Sequence, residues 1–413
     1  MNADTAVDRL GAGRDVATIE FPGGAITTLH ELATFDGAKV HGVLHRLAGS
    51  TTVVTLMHPR QSLTHHPMVA WLLRAGVSVW TQDTRSVNND LNLVHEQALL
   101  DVAAGMTFLR AAGYGQIVTL GHSGGGTLYA FYIEQAILEP EFRLDITPAG
   151  RPIALAGADM PIPDGAIFMA PHPGQGRVLL SLIDPSVADE HDPMSRIPEL
   201  DMYDSVNGFQ PPPDESRYAA EWLVEYRQAQ YARVERIDQH ARALARDVSD
   251  HRSAFAASGS IEDRRRSLAP RIITTYRTNA DPRCIDLSWD RNDRPYGSLF
   301  GARPDLINYG LVGFGRLTTP DAWLSTWSAI STNADFVRCA PGIHVPTLYL
   351  DFSGDQAAFP SDVQRMFDAI ATPDKHLASV PSQHFGQPLR AGDPTGYELA
   401  ARRIQPWLTG RFT

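Results

Sequence analysis

Cysteine is scarce: Cys284 and Cys339 are the only two in 413 residues, and neither belongs to a CxxC pair. A disulfide framework and a zinc knuckle are therefore not expected. No run of about eighteen consecutive apolar residues occurs, so no membrane-spanning helix is expected either. Basic charge is also in deficit, with 36 Lys and Arg against 47 Asp and Glu and a formal net charge of −11. Nucleic-acid binding needs a concentrated basic surface, and Arg264-Arg265-Arg266 is too short to supply one. Met1 to Gly13 is polar and acidic, without the apolar stretch of a signal peptide, and a cytoplasmic location is expected. Gly124-Gly125-Gly126 lacks the lysine that follows a phosphate loop, and no dinucleotide fingerprint or metal cluster is visible. Neither a cofactor nor a metal is expected, and a small molecule is the expected partner, with a homodimer left open.

What is present is ordinary for a soluble globular chain: 43% hydrophobic and 20% charged residues. The length exceeds one ordinary core, which leaves one large domain with an insertion or two domains. Three strand-like runs open the chain, Ile26 to Phe35, Val40 to Arg46 and Thr51 to Met57, the first two separated by the turn signal Asp36-Gly37. Strands and helices then alternate. Helices are expected at Pro67–Ala75, Glu96–Ala112 and Thr127–Leu138, and strands at Val77–Gln82, Ile117–Leu120 and Asp164–Ala170. Such alternation predicts parallel strands with crossover helices on both faces.

The pattern breaks from Pro171 to Thr319. Within this stretch Leu223, Tyr226, Gln230, Val234, Ile237, Ala241, Leu244 and Val248 recur at steps of three and four, all apolar but Gln230. That spacing predicts an amphipathic helix, with Asp214 as N-cap. Alternation resumes with a helix at Asp321–Ile330, a strand at Thr347–Phe352, a helix at Asp362–Ala371, a strand at Leu377–Pro381 and a helix at Thr395–Trp407. Asp362 suits the N-cap of its helix. The two arms, 1–172 and 320–413, read as one catalytic core, and 173–319 as a mainly helical cap inserted after the sixth strand of a mostly parallel, doubly wound sheet.

Gly121-His122-Ser123-Gly124-Gly125 lies between the apolar strand ending at Leu120 and a helix. A G-x-S-x-G turn is so tight that small residues must flank the serine two positions away on each side. Ser123 would stand at a helix N-terminus, where negative charge is favoured. This strand–turn–helix setting resembles the α/β-hydrolase superfamily over both arms, roughly Ile26 to Ala170 and Asp321 to Thr413.

The resemblance implies an order of nucleophile, acid and base along the chain. His384, on the loop after the last strand, is the candidate base; His376 lies at the opposite end of that strand. Asp355 follows the penultimate strand and is the candidate acid, ahead of Asp351 inside the strand and Asp362 in the next helix. After the sixth strand stands Ala170-Pro171-His172-Pro173, without the carboxylate some relatives carry there. The oxyanion donors implied are the N–H groups of Gly124 and of Arg60, with Gln61 as the alternative, because Pro59 has no N–H. Asp83 and Arg85 match an Asp-x-Arg that is more often structural in similar proteins.

His58, Gln61 and His122 beside the nucleophile, with Trp289, Tyr296 and Trp323 from the cap and its exit, are the candidate substrate contacts. The aromatics could equally form the cap's own core. Arg283, Arg291, Arg294 and Arg303 could meet a substrate carboxylate or form surface ion pairs. The expected activity is hydrolysis of a carboxylic ester or lactone through an acyl-serine. Amide or thioester hydrolysis and acyl transfer share the machinery, and a non-enzymatic receptor is the remaining alternative.

Overall fold

The computed structural model describes residues 20–412. The first arm contains β1 (Ala25–Ala33), β2 (Lys39–Leu47), β3 (Thr52–Met57), α1 (Met68–Arg74), β4 (Ser78–Gln82), α2 (His95–Ala111), β5 (Gln116–His122), α3 (Gly124–Ala136) and β6 (Gly165–Met169). A long excursion follows, with α4 (Gln175–Leu182), α5 (Ala220–Ser258), α6 (Ile261–Leu268), β7 (Ile273–Thr274), α7 (Pro304–Ile307), β8 (Leu317–Thr318), α8 (Pro320–Ala322) and α9 (Phe336–Cys339). The chain then returns through β9 (Thr347–Gly354), α10 (Pro360–Ala369), β10 (Lys375–Gln383) and α11 (Gly396–Phe412).

Eight strands form one sheet in the order β1-β2-β4-β3-β5-β6-β9-β10. The β1–β2 and β2–β4 pairs are antiparallel, and every pair from β4 to β10 is parallel. β3 shows why the central strands read as continuous apolar runs. Val53 and Met57 face the layer of α2 and α3, whereas Val54 and Leu56 face that of α1 and α11. Both faces are covered, so a polar side chain in the pleat needs a partner, as Thr55 has in the Tyr129 hydroxyl at 3.0 Å. The β1–β2 turn closes as Asp36-Gly37 predicts, with Gly37 at φ +85 and the Thr34 N–H on the Ala38 carbonyl at 2.9 Å.

The excursion is organised on α5, whose Tyr226, Val234, Ile237 and Ala241 are buried and whose Leu223, Leu244 and Val248 are half-buried. Val234, Ile237 and Ala241 pack with Leu179 of α4 and with Trp323, Leu324 and Trp327. Gln230, the polar member of the stripe, donates to the Ser181 carbonyl at 2.9 Å and the Ile183 carbonyl at 2.7 Å. These oxygens lie at the end of α4, where the helix has no N–H left to meet them. Among the described residues no helix is long and apolar enough to cross a membrane.

Three local expectations are corrected. The long helix starts at Ala220, not after an Asp214 cap, because Ser216 and Arg217 give their N–H groups to Ile285 and Gly208 in an extended segment. The helix expected at Asp321–Ile330 is α8 followed by a π turn, Trp323–Trp327. That turn aims Ser325 and Thr326 at the start of α2, where they bond the His95 N–H (2.9 Å) and the His95 ring (2.8 Å). Asp362 lies inside the first turn of α10, accepting from the Phe359 N–H at 3.3 Å, and is not its N-cap.

Gln230→Leu would complete the apolar stripe yet leave the Ile183 carbonyl unmet and the Ser181 carbonyl to Arg227 alone, at 3.1 Å. It should cost about 1–3 kcal/mol in denaturant unfolding; a stabilised variant would show that those bonds contribute nothing.

Candidate active site

Between the end of β5 and the start of α3, Ser123 is held at φ 57 and ψ −124. That region is unfavourable for any residue with a side chain, so surrounding contacts must impose it. The glycines do so. A Cβ on Gly121 would come within 2.5 Å of the Gly126 nitrogen, and one on Gly125 within 2.3 Å of the Met57 carbonyl oxygen. The Ser123 N–H donates across to Met169 at the end of β6, at 3.2 Å.

Ser123 Oγ stands 2.8 Å from His384 Nε2, and His384 Nδ1 stands 2.9 Å from both Asp355 oxygens. Asp355 and His384 are buried while Ser123 is half-buried. Each of the three follows the carboxyl end of a parallel strand: β5, β9 and β10. The Asp355 carboxylate also accepts the Ala357 N–H at 2.6 Å, which fixes its orientation. Asp351, inside β9, meets only Ser379 at 3.2 Å, and His376 stands at the far end of β10 beside Asp374.

A second chain of imidazoles braces the first. His122 Nε2 lies 2.9 Å from the His384 carbonyl, which can only accept, so the proton sits on Nε2. His122 Nδ1 then accepts from His66 Nε2 at 3.1 Å, and His66 Nδ1 accepts the Met68 N–H at 3.2 Å. Burial brings His66 down to about 4 and holds His122 well below the usual histidine range. Both rings are therefore neutral near pH 7. His122, expected to touch substrate, instead pins the loop that carries His384.

The loop after β3 departs further from expectation. The N–H groups of Arg60 and Gln61 both donate to His58 Nδ1, at 3.0 and 3.1 Å. Neither is free to meet a substrate oxygen. The Arg60 guanidinium is turned away, bonded to Asp90 at 2.7 Å and placed over Phe314 and Trp327 at 4.8 and 4.9 Å. Gly124, as the first residue of α3, has no helical partner for its N–H. A Cβ there would lie 2.3 Å from Gln175 Nε2, 3.0 Å from His58 Nε2 and 3.1 Å from His172 Nε2. Glycine follows the serine because three side chains already occupy that space.

None of the expected aromatic contacts is among the residues lining the cavity next to His384. Trp323 is fully buried with its Nε1 on Asp238 at 2.8 Å, Trp289 lies under Arg227 at 5.0 Å, and the Tyr296 hydroxyl reaches the Gln210 carbonyl at 3.4 Å. The cavity, about 200 Å³, is lined by the turn from Ser298 to Gly301 together with Gln356, Gln383, His384, Phe385 and Gln387. Nothing periodic marks these residues in the sequence. Of the arginines, Arg283 is enclosed by Asp281 and Asp362, Arg294 binds the Arg283 and Trp289 carbonyls, and Arg303 pairs with Asp305. Arg85 bridges Asp36 and Asp101.

No family model matches the chain, and no curated protein matches it in sequence. Solved structures do match. DcsB in complex with its substrate analogue is 11% identical, with a TM-score of 0.51, covering 94% of this chain and 99% of that one. The α/β hydrolase GrgF from Penicillium sp. sh18 is 14% identical, with a TM-score of 0.48 and coverage of 94% and 99%. The Pyrococcus furiosus esterase Pf2001 is 12% identical, with a TM-score of 0.43 and coverage of 94% of both chains. The strand order and the serine elbow after the central β5 decide the architecture. The chain has the α/β-hydrolase fold. At such identities the likeness concerns fold alone, because the fold hosts many chemistries.

The setting of Asp351 gives a pH test. Burial and the neighbouring Asp355 charge raise its carboxyl from the usual 3.8 to about 6. Between those values the folded chain holds more protons than the unfolded one, so this group's effect is to lower stability as pH rises. Asp351→Asn should therefore raise Tm at pH 8 and change it little at pH 3.5. A Tm gain equal at both pH values would rule out the charge of Asp351 as the cause.

Proposed function

We propose that this protein is a serine hydrolase that cleaves a carboxylic ester or lactone through an acyl-serine intermediate. The observation that carries the reading is the unbroken chain from Ser123 Oγ to His384 to Asp355, at 2.8 and 2.9 Å. A serine hydroxyl is a weak nucleophile until a base removes its proton as it attacks. In this reading His384 Nε2 takes that proton, and Asp355 holds the tautomer and stabilises the imidazolium. Collapse of the tetrahedral intermediate expels the alcohol, which receives the proton from His384. Water then attacks the acyl-serine with the same base, releasing the acid and restoring the hydroxyl.

A cavity of about 200 Å³ lies beside His384, lined by the candidate base but not by Ser123, and is smaller than the roughly 300–1,000 Å³ of drug-sized ligand sites. One of its walls, Ser298 to Gly301, comes from the excursion between β6 and β9, and this supports a role for that segment in substrate choice. Amide hydrolysis, thioester hydrolysis and acyl transfer run on the same groups. A receptor without catalysis is disfavoured by three intact, mutually bonded side chains around a half-buried serine.

The reading is tested by labelling with a fluorophosphonate and by turnover of short aryl esters. Ser123→Ala should abolish labelling and lower turnover by about three orders of magnitude or more. Asp355→Asn should lower kcat by about 10⁴ while leaving Ser123 in place. Asp351→Asn and Asp362→Asn should stay close to the parent. Labelling that survives in Ser123→Ala would overturn the proposal.

A further inference from the structure

The neighbours of Gly124 carry a consequence for how negative charge is met at the serine. A backbone N–H can only donate, so the ring nitrogen it reaches must be unprotonated. His58 Nδ1 accepts from Arg60 and Gln61, and His172 Nδ1 accepts the Gly174 N–H at 3.1 Å. In the neutral ring the proton then sits on Nε2 in both. Neutral is the state they hold: burial and the Arg60 charge keep His58 well below the usual range, and burial with neighbouring His384 and Arg60 brings His172 to about 3.

Both Nε2 atoms reach the same point, 3.0 and 3.1 Å from where a Gly124 Cβ would be. Neither has a hydrogen-bond acceptor among the described residues. The Gln175 amide nitrogen lies in the same place, buried without a partner in a residue only 2% exposed, while the amide oxygen faces the His95 ring. A buried donor without an acceptor costs about 1–3 kcal/mol, so the Gln175 N–H, with two ring N–H groups turned to the same point beside the serine, calls for a ligand atom. The loop N–H groups that would ordinarily serve there are spent on His58 Nδ1.

We propose that the oxyanion formed when Ser123 attacks is held by the Nε2–H groups of His58 and His172, together with the Gly124 N–H. The imidazoles replace the second backbone donor. Neutral rings suit the task, because they supply fixed dipoles without placing positive charge beside His384 when it becomes an imidazolium. The Gln175 Nε2, nearest of the three to that point, supplies a further N–H. This inference rests on the serine-hydrolase reading, and its test separates the two.

The experiment compares wild type, His58→Ala, His172→Ala and His172→Gln on a p-nitrophenyl ester, with fluorophosphonate labelling of the wild type as reference. Each alanine variant should lose about 10²–10³-fold in kcat with KM changed only a few-fold, as for removal of one oxyanion donor. His172→Gln keeps an N–H and should recover most of that loss. Affinity for an aryl trifluoromethyl ketone, whose adduct carries the oxyanion, should weaken in proportion to kcat/KM. Circular dichroism and Tm report whether each variant folds. If the alanine variants unfold, His172→Gln against His172→Leu decides, because only glutamine donates. An active wild type whose folded variants keep their kcat, or change only KM, overturns this assignment and leaves the hydrolase reading standing. A wild type that neither labels nor turns over overturns both.

Discussion

The site depends on backbones packed closer than any side chain would allow. The Gly125 Cα rides on the Met57 carbonyl, Gly121 on the Gly126 nitrogen, and Gly126 on Pro171, where an added Cβ would come within 2.3, 2.5 and 2.6 Å. These contacts join the ends of β3 and β5, the start of α3 and the segment after β6. They force Ser123 to positive φ, a conformation that costs on the order of 1–3 kcal/mol when a side chain is present. They also set the neighbours of the serine. Met57 is followed at once by His58, and Pro171 by His172, so the contacts that bend the elbow deliver both imidazoles to its flank.

Five histidines gather here, and burial sorts them. His58, His66, His122 and His172 each accept a proton donor at Nδ1, three of them a backbone N–H and His122 the ring of His66. Desolvation lowers all four, and the rings lower one another further where they face. His384 alone of the five has a carboxylate at Nδ1. The other four rings therefore act as fixed dipoles, and His384 alone faces a carboxylate. Function and stability are joined, because the His384 carbonyl is bonded to His122 and its ring to Asp355.

What was legible in the sequence was local. Periodicity gave the strands of the sheet and the stripe of α5; glycine spacing gave the elbow; the order implied by the resemblance to α/β-hydrolases pointed to Ser123, Asp355 and His384, which lie within hydrogen-bond distance. What was hidden depended on contacts far apart in the chain. The Arg60 N–H looked available until the His58 ring turned back onto it. His172 stands in a proline-flanked loop with no periodic signal, and only its meeting with Gly124 singles it out. Trp323 had the composition of a pocket residue, but the π turn buries it against α5. Hydrophobicity alone cannot separate a pocket wall from a core, since both are apolar.

The excursion between β6 and β9 is tied to the Asp355 edge of the sheet by polar bonds, of which the one from Gln356 to Gly297 is buried. The Asn292 amide donates to the Asp355 carbonyl at 2.9 Å, the Asp293 N–H to Ser353 at 2.8 Å, and the Gln356 amide to Gly297 at 2.7 Å. Arg60, on the loop beside the serine, lies over Phe314 and Trp327. At the other end of the sheet layer, Ser325 bonds Glu96, whose burial raises its carboxyl above the usual range. Swinging the excursion away as a rigid lid would break the bonds that hold the turn of Asp355. The buried Gln356 amide, left unpaired, would cost about 1–3 kcal/mol, and the half-exposed bonds less. The short turn from Ser298 to Gly301, which lines the cavity beside His384, closes on itself with two bonds of 3.0 Å, and the Gly297 carbonyl just before it is the one that Gln356 holds.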